Sequence, residues 1–443
     1  MATPGPLAPF PGGSDGRLVR AIGRFDLTAA IVNGVIGSAI FGMPASQAAL
    51  TGAWSPLVCL VAGAGVLTIV LCFAEVASRF REAGGPYLYV RESFGPFLGF
   101  QAGWLTFWVR ILSLAANLNI FVEYLGQVVP KASSPLGRAS VMVTMMAVLT
   151  VINLIGVRQA TWTVDVFTAA KIAPLLLLVL LGLPRVRLEV LATQAVAEPD
   201  WTGAMLLLMF AYGGFEAPLI PAGEAKDPRR DTAFALLVGL GLIAAVYTLV
   251  QLVIVGMVPH LAGTKAPVAA AFGALLGPAG VPLAALAAMV SVWGYSTGSV
   301  LQSPRVLYSM AERHDLPPFL ASVHGRFQTP HVAIVVFAVL TTAVAVYGTF
   351  EATATLSAIV RLVTYGLTCA ALPTLRLRRP HEAPGFRAPG ASVVAPAAMA
   401  FCLWLLGTRS FTQAWTLLVL MAAGFLLWRA AGRGAPPAPA STV

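Results

Sequence analysis

The 443-residue chain is too apolar and too sparsely charged for a water-soluble protein. Hydrophobic residues make up 58% of it and charged residues 10%, whereas soluble globular domains carry about 25% charged residues. The net charge of +10 comes from residues scattered between apolar segments, and no basic stripe is interleaved with aromatic residues, so it does not indicate nucleic-acid binding. We therefore predict an integral membrane protein with the lipid bilayer as its partner.

The apolar segments have the length of membrane-spanning helices. A window of about twenty residues finds twelve of them, at 25–50, 54–78, 95–125, 139–156, 162–183, 201–223, 232–258, 281–311, 331–350, 352–375, 391–408 and 411–430. Residues 1–24 and 431–443 are predicted to be tails. The prediction is an all-α fold with twelve transmembrane helices, called spans 1 to 12.

The basic residues between the spans predict the orientation. Twelve spans place both termini on one side of the membrane, and most lysines and arginines fall on that side. The other side carries only Lys131, Arg138, Arg185, Arg187, Lys265 and Arg409. By the positive-inside rule, both termini lie in the cytoplasm and the protein is a multi-pass protein of the cell membrane.

Span 1 contains the pattern of a broken helix. Three glycines and a proline fall within residues 34–44, and an unwound backbone survives in a membrane only where it packs in protein or lines a polar cavity. We predict that Pro44 occupies the first turn of a restarted helix. The amides from Ser38 to Met43 would then bind an anion such as a carboxylate. A kink that serves only packing is the alternative.

A few ionisable residues lie inside the spans, where burial of a charge is expensive. Glu75 comes just before Arg79 at the cytoplasmic end of span 2, and we predict a structural role for it. Arg110 in span 3 and Arg361 in span 10 lie deeper, and each needs a partner because arginine does not lose its charge. Glu216 is the candidate partner for either arginine.

Lys171 stands alone in span 5, ahead of a leucine-rich run. A lysine removed from water can release its proton, which suits a proton-coupling group. A fixed cation that fills the helix bundle is the alternative. The residues themselves leave both interpretations open.

A second interruption in span 6 resembles the first. Residues 212–218 again place small residues before a phenylalanine, and Pro218 follows Phe215 by three positions, as Pro44 follows Phe41. Two matched interruptions, one early in each half of the chain, indicate the substrate site of a transporter built from inverted repeats.

The cysteines and histidines show no pattern of a catalytic or metal centre. Cys59, Cys72, Cys369 and Cys402 lie in or beside apolar segments without short paired spacing, so we expect neither a disulfide nor a metal site. The histidines map to loops. We expect no cofactor and no enzymatic activity, since no set of histidine, cysteine and carboxylate has a workable spacing.

Five short motifs lie at the two breaks and in the cytoplasmic loops. They are GSAIFG at 37–42, EAGGPYLY at 82–89, FAYGGFE at 210–216, GEAKDPRR at 223–230 and a stretch from Pro304 to Pro317. Together they resemble the amino acid–polyamine–organocation permeases from about Arg24 to Arg429. The resemblance implies inverted repeats of five helices at 25–183 and 201–376, with a loop at 184–200 between them and two added helices at 391–430.

The same resemblance implies an amino acid or related amine as the substrate. Its carboxylate would meet the amides of residues 37–40, its amino group would meet the carbonyls near Phe210, Ala211 and Gly213, and Phe210 would be the aromatic gate. The predicted substrate-binding residues are Ile36, Gly37, Ser38, Ala39, Ile40, Phe210, Ala211, Gly213 and Glu216. Many members carry glycine where this chain has Ala39, whose methyl group limits close approach to the backbone.

Lys171 matches a lysine that, in some members, takes the place of the second sodium ion of sodium-coupled relatives. This match implies contacts with carbonyls near Val35 and Ile36 and with the hydroxyls of Ser296 and Ser299, which share a helix face. We predict proton-coupled uptake, with exchange as the alternative. A cationic substrate needs Glu216 unpaired; if an arginine neutralises it, neutral amino acids are expected.

Overall fold

The computed structural model describes residues 23–80, 85–156, 161–217, 219, 228–380 and 384–431, with the backbone alone at 161–165 and 228–229. These residues form α-helices joined by loops and short 3₁₀ turns, without a β-strand in the described ranges. The helices are α1 (Arg24–Val35), α2 (Ala39–Thr51), α3 (Ser55–Arg79), α4 (Gly85–Phe94), α5 (Pro96–Gly126), α6 (Pro135–Ile155), α7 (Thr161–Gly182), α8 (Leu188–Ala192), α9 (Trp201–Ala211), α10 (Pro228–Met257), α11 (Pro267–Leu276), α12 (Gly280–Glu312), α13 (His331–Tyr347), α14 (Phe350–Arg378), α15 (Ala391–Gly407) and α16 (Phe411–Ala430).

Some sequence predictions concern residues outside the described ranges. They are most of the two tails, Pro218 of the second break, residues 82–84 of the motif after span 2 and residues 223–227 of the motif after span 6.

The chain is a multi-pass membrane protein, although the structure matches the predicted twelve spans only in part. Within the described residues, eight helical stretches are long and apolar enough to cross a membrane, and three apolar helices are shorter. The short ones are α9, α13 and α15. Helix α9 is short because the chain leaves helical geometry after Ala211, at the predicted second break. The α13 and α15 helices have 17 residues each, about 25 Å at 1.5 Å per residue.

Helix α5 is the centre of the bundle. It has 31 residues, and α14, α12, α4 and α13 pack around it. Helix α3 packs against α10, which in turn packs against α1. Helix α16 lies at the outside, where only Gly424 is buried, as expected for a helix whose apolar side chains face lipid. The arrangement places the two breaks beside α5 and α14.

Glu75 has the structural surroundings that its position predicts. Its carboxylate is fully buried and accepts hydrogen bonds from Arg79 Nη2 at 2.8 Å, from Arg376 Nε at 2.8 Å and from the Ala388 amide at 2.8 Å. It therefore ties the end of α3 to the end of α14 and to the segment before α15.

We expect Glu75→Gln to lower the stability of the protein by about 3 kcal/mol, because it leaves Arg79 and Arg376 without a buried counter-charge. The thermal unfolding midpoint in detergent measures the effect. Glu92→Gln is the matched control, since Glu92 pairs with Arg379 at the surface and exposed pairs contribute about 1 kcal/mol or less. Equal midpoints for the two variants would contradict the prediction.

Candidate functional site

The first break spans three residues between α1 and α2. Helix α1 ends at Val35, Ile36 is extended and α2 begins at Ala39. The helix therefore restarts earlier than predicted, and Pro44 lies inside α2 and not in its first turn, so that prediction is wrong. A proline inside a helix removes the hydrogen bond to the carbonyl four residues before it, which is that of Ile40.

The amides of the first break differ in what they bind. Ser38 donates to Asn117 Oδ1 at 2.9 Å, and Gly37 donates to the Val35 carbonyl at 2.9 Å. The amides of Ala39 and Ile40 have no acceptor among the described residues, as expected for the first turn of a helix. The buried Ser38 hydroxyl also lacks a partner there. These unpaired donors can hold an anion.

The second break packs against the last turn of α1, directly before the first break. After α9 ends at Ala211, the chain makes turns through residues 212–217. Gly214 has φ +112°, and a Cβ atom there would lie 2.3 Å from the Gly34 carbonyl oxygen. Only glycine permits both this backbone conformation and this approach, so the two interruptions form one irregular region between α5 and α14.

Two of the carbonyls predicted for the substrate's amino group, those of Phe210 and Ala211, accept hydrogen bonds from protein groups. The Phe210 carbonyl accepts from Arg361 Nη1 at 3.2 Å and from the Gly213 amide. The Ala211 carbonyl accepts from the Tyr247 hydroxyl at 3.1 Å. A Cβ atom at Gly213 would lie 1.3 Å from Arg361 Nη1. The guanidinium group therefore packs directly on the backbone of this residue, and only glycine leaves room for it.

Both deep arginines face Glu216. Arg110 Nη2 is 3.5 Å and Arg361 Nη2 is 3.8 Å from Glu216 Oε1. The other carboxylate oxygen accepts from the Tyr365 hydroxyl at 2.7 Å and from the Gly214 amide at 2.9 Å. The sequence left open which arginine pairs with Glu216, and the structure brings both to it.

Lys171, on α7, contacts the backbone at the end of α1 and in the first break. Its side chain is fully buried, and its ammonium donates to the Ile36 carbonyl at 2.8 Å and to the Asn33 carbonyl at 3.2 Å. The predicted serines are not its partners: the Ser296 hydroxyl donates to Val292, and that of Ser299 pairs with Ser303. The structure thus brings Lys171 to the unwound backbone and does not bring it to the serines of α12.

Two cavities lie on either side of an aromatic pair. The central one has about 10 Å³ of free volume, room for about one water molecule, and is lined by Val35, Gly37, Ser38, Ala39, Ser113, Asn117, Phe210, Gly213, Tyr295 and Arg361. The vestibule, a cavity of about 910 Å³, is lined in part by Ala45, Glu123, Lys265, Tyr347 and Phe350. The rings of Phe210 and Phe350 meet edge to face with centroids 6.0 Å apart and separate the two.

Several residues of this region were not predicted. Asn117 and Ser113 of α5, Tyr295 of α12 and Phe350 of α14 line one cavity or the other. The sequence does contain a pattern that could have identified Ser113 and Asn117. Arg110, Ser113 and Asn117 recur at intervals of three and four residues, so they form a polar stripe on one face of an apolar helix.

Fold and site define a multi-pass membrane protein with two helix breaks that face each other at the centre of its bundle. The sequence profile described as amino acid permease matches residues 22–427, and the chain belongs to that family. The chain is 27% identical over 332 residues to the serine/threonine exchanger SteT of Bacillus subtilis, covering 72% of this chain and 75% of that protein. It is also 27% identical over 385 residues to the large neutral amino acids transporter small subunit 2 of Homo sapiens, covering 83% of this chain and 72% of that protein.

Proposed function

We propose that this protein carries an amino acid across the cytoplasmic membrane by alternating access. The observation that carries the proposal is the pair of adjacent breaks, which line one small cavity near the middle of the bundle and present unpaired amides beside it. In such transporters one group of helices moves around a central site that opens to each side in turn. We also propose that the protein has twelve spans arranged in inverted repeats, with both termini in the cytoplasm.

The substrate's carboxylate is proposed to accept from the amides of Ala39 and Ile40. The Ser38 amide is engaged by Asn117, so Ser38 contributes its unpaired hydroxyl. Gly37 contributes space, because a Cβ atom there would come within 2.9 Å of Asn117 Oδ1. The Phe210 carbonyl receives the amino group once the Arg361 guanidinium has moved from it.

Coupling to protons is proposed to act through Lys171. While α1 is in place, the Ile36 and Asn33 carbonyls stabilise the charged ammonium. When α1 moves in the inward-opening step, the ammonium loses these acceptors in an apolar surrounding and releases its proton. A difference in proton affinity between two conformations is what linkage requires for coupled uptake.

Exchange without net proton movement is the second candidate. It is favoured by the relative that is named an exchanger, and in that case Lys171 is a fixed cation. Uptake into liposomes with an imposed proton gradient, compared with liposomes preloaded with amino acid, separates the two. Stimulation by the gradient into empty liposomes supports coupled uptake, whereas stimulation by internal amino acid alone supports exchange.

We expect Phe210→Ala to reduce uptake by about tenfold, equivalent to about 1.4 kcal/mol, because the Phe210–Phe350 pair closes the site against the vestibule. Phe210→Trp keeps part of the activity, since an indole still covers the opening. Initial rates of uptake, normalised to folded protein, measure the effect.

The control for this prediction is Phe337→Ala. Phe337 is fully buried in α13, where its ring packs on Phe107, so this variant loses a comparable core contact away from the cavities. If Phe210→Ala transports as well as the parent protein, Phe210 has only a packing role.

A further inference from the structure

The centre of the site has an excess of positive charge. The residues Arg110, Arg361 and Glu216 are 5%, 2% and 3% exposed, and both guanidinium groups lie within 4 Å of the same carboxylate oxygen. One carboxylate balances only one of the two. A buried charge without a counter-charge is strongly unfavourable, so the surplus cation requires an anion from elsewhere.

The other buried carboxylates of the described chain do not supply that anion. Glu75 is held by Arg79 and Arg376 at the ends of α3 and α14. Asp315, after α12, accepts from Arg91 at 2.6 Å and from the Tyr87 hydroxyl at 2.7 Å. Each of these acids is therefore engaged with its own arginine outside the central region.

Arg361 is the arginine that a ligand in the central cavity can reach. It lines the central cavity, which Arg110 does not, and its Nε is buried without an acceptor among the described residues. Its hydrogen bonds go to neutral groups, at 3.2 Å to the Phe210 carbonyl, 3.5 Å to the Met209 carbonyl and 3.3 Å to Ser113 Oγ. A carboxylate offers a guanidinium a paired, charge-assisted contact that a carbonyl does not.

We propose that the substrate is an acidic amino acid whose side-chain carboxylate binds Arg361. This inference rests on the proposed function and specifies its substrate class. When Arg361 turns from Phe210 to the substrate, the freed carbonyl accepts from the substrate's ammonium, and Arg110 remains as the partner of Glu216. The α-carboxylate takes the Ala39 and Ile40 amides, so every charge in the site is matched.

The alternatives leave charges unmatched. A cationic side chain would face two arginines and a Glu216 carboxylate whose Oε2 already accepts two hydrogen bonds and whose Oε1 faces both guanidinium groups. A neutral amino acid, the kind that the names of the relatives specify, would leave the surplus guanidinium of Arg361 without a counter-charge. From the sequence, we expected neutral substrates if one arginine neutralised Glu216. The structure places two arginines beside Glu216, and the second arginine changes the expected substrate to an acidic one.

The test is a competition assay on the purified full-length protein in liposomes. Labelled L-glutamate is the probe, and the competitors are L-aspartate, L-glutamine, L-serine, L-leucine, L-arginine and succinate. We expect L-glutamate to bind at least about tenfold more tightly than L-glutamine, which has the same shape without the charge; tenfold corresponds to about 1.4 kcal/mol.

Arg361→Gln is expected to reduce glutamate affinity by about a hundredfold and to bring glutamate and glutamine within about twofold of each other. If Arg361 had a purely structural role, the variant would bind both amino acids less tightly and the ratio of the two affinities would stay the same. Arg361→Lys retains part of the preference, because it keeps the charge and loses the paired geometry. Arg187→Gln, at an exposed residue before α8, is the matched control and keeps the full discrimination.

The outcomes separate this inference from the proposed function. If the parent protein takes up serine or leucine as well as glutamate, the acidic substrate is wrong and amino-acid transport stands. If succinate competes as well as aspartate, the site recognises two carboxylates without an amino group, and the inference is again wrong. If none of the amino acids binds or enters, the proposed function fails as well. Should Arg361→Gln not fold, the glutamate-to-glutamine ratio of the parent and of Arg361→Lys decides.

Discussion

Gly37→Leu is expected to abolish substrate binding while the protein remains folded. A Cβ atom at this position would lie 2.9 Å from Asn117 Oδ1 and 3.3 Å from Tyr295 Cδ2. The rest of a leucine side chain would fill a cavity with about 10 Å³ of free volume and displace Asn117 from the Ser38 amide. Because the leucine removes both the space and the Asn117 contact of the first break, we expect binding and uptake to fall by at least about a hundredfold, which corresponds to about 2.8 kcal/mol.

Gly241→Leu is the matched control for this prediction. Gly241 is an exposed residue of α10, and a Cβ atom there meets nothing within 4 Å, so the same substitution adds the same side chain outside the site. Binding of labelled substrate to purified protein and the thermal unfolding midpoint are measured for both variants. Near-normal uptake by well-expressed Gly37→Leu would show that the first break does not hold the substrate.

The location of the breaks was predictable because it depends on local backbone chemistry. Glycine and proline weaken a helix wherever they occur, and an unwound backbone in a membrane needs a polar surrounding. The length of the break was not predictable in the same way. Pro44 fits the first turn of a helix, yet α2 begins at Ala39, because Asn117 binds the Ser38 amide and so stabilises an earlier restart. That contact joins residues far apart in sequence.

The partners of the buried charges depend on how the helices are rotated within the bundle. Ser357, Arg361 and Tyr365 follow one another at intervals of four residues on α14, which indicates a polar face. The spacing does not say which helix that face meets. Glu216 lies in the irregular segment after α9, where no periodicity applies, so only the structure brings Arg110, Arg361 and Tyr365 together around it.

The serines predicted to contact Lys171 also show that helical spacing does not determine the partner of a side chain. Ser296 and Ser299 do share a face of α12, as their spacing predicts. However, a serine hydroxyl inside a helix readily donates to the carbonyl four residues earlier, and Ser296 does so with Val292 at 2.7 Å. Spacing predicted the shared face and did not determine the hydrogen-bond partner.

Lys171→Ala is expected to remove the dependence of uptake on the proton gradient and to abolish concentrative uptake, even where substrate still binds. Alanine has no proton to release, so the movement of α1, which carries the Asn33 and Ile36 carbonyls away from position 171, no longer changes the number of bound protons. Uptake as a function of external pH, with and without an imposed gradient, measures the effect. Lys131→Ala, in the turn before α6, is the control and keeps the parent's pH dependence.

Lys171→Arg distinguishes a titrating group from a fixed cation. Arginine keeps the positive charge through the whole cycle because it does not lose its proton in proteins. If the lysine couples transport to protons, this variant loses gradient-driven accumulation as the alanine variant does. If the lysine is a fixed cation, Lys171→Arg continues to exchange internal for external amino acid. Uptake by the parent protein that ignores the gradient and responds only to internal amino acid would identify an exchanger and overturn the coupling role of Lys171.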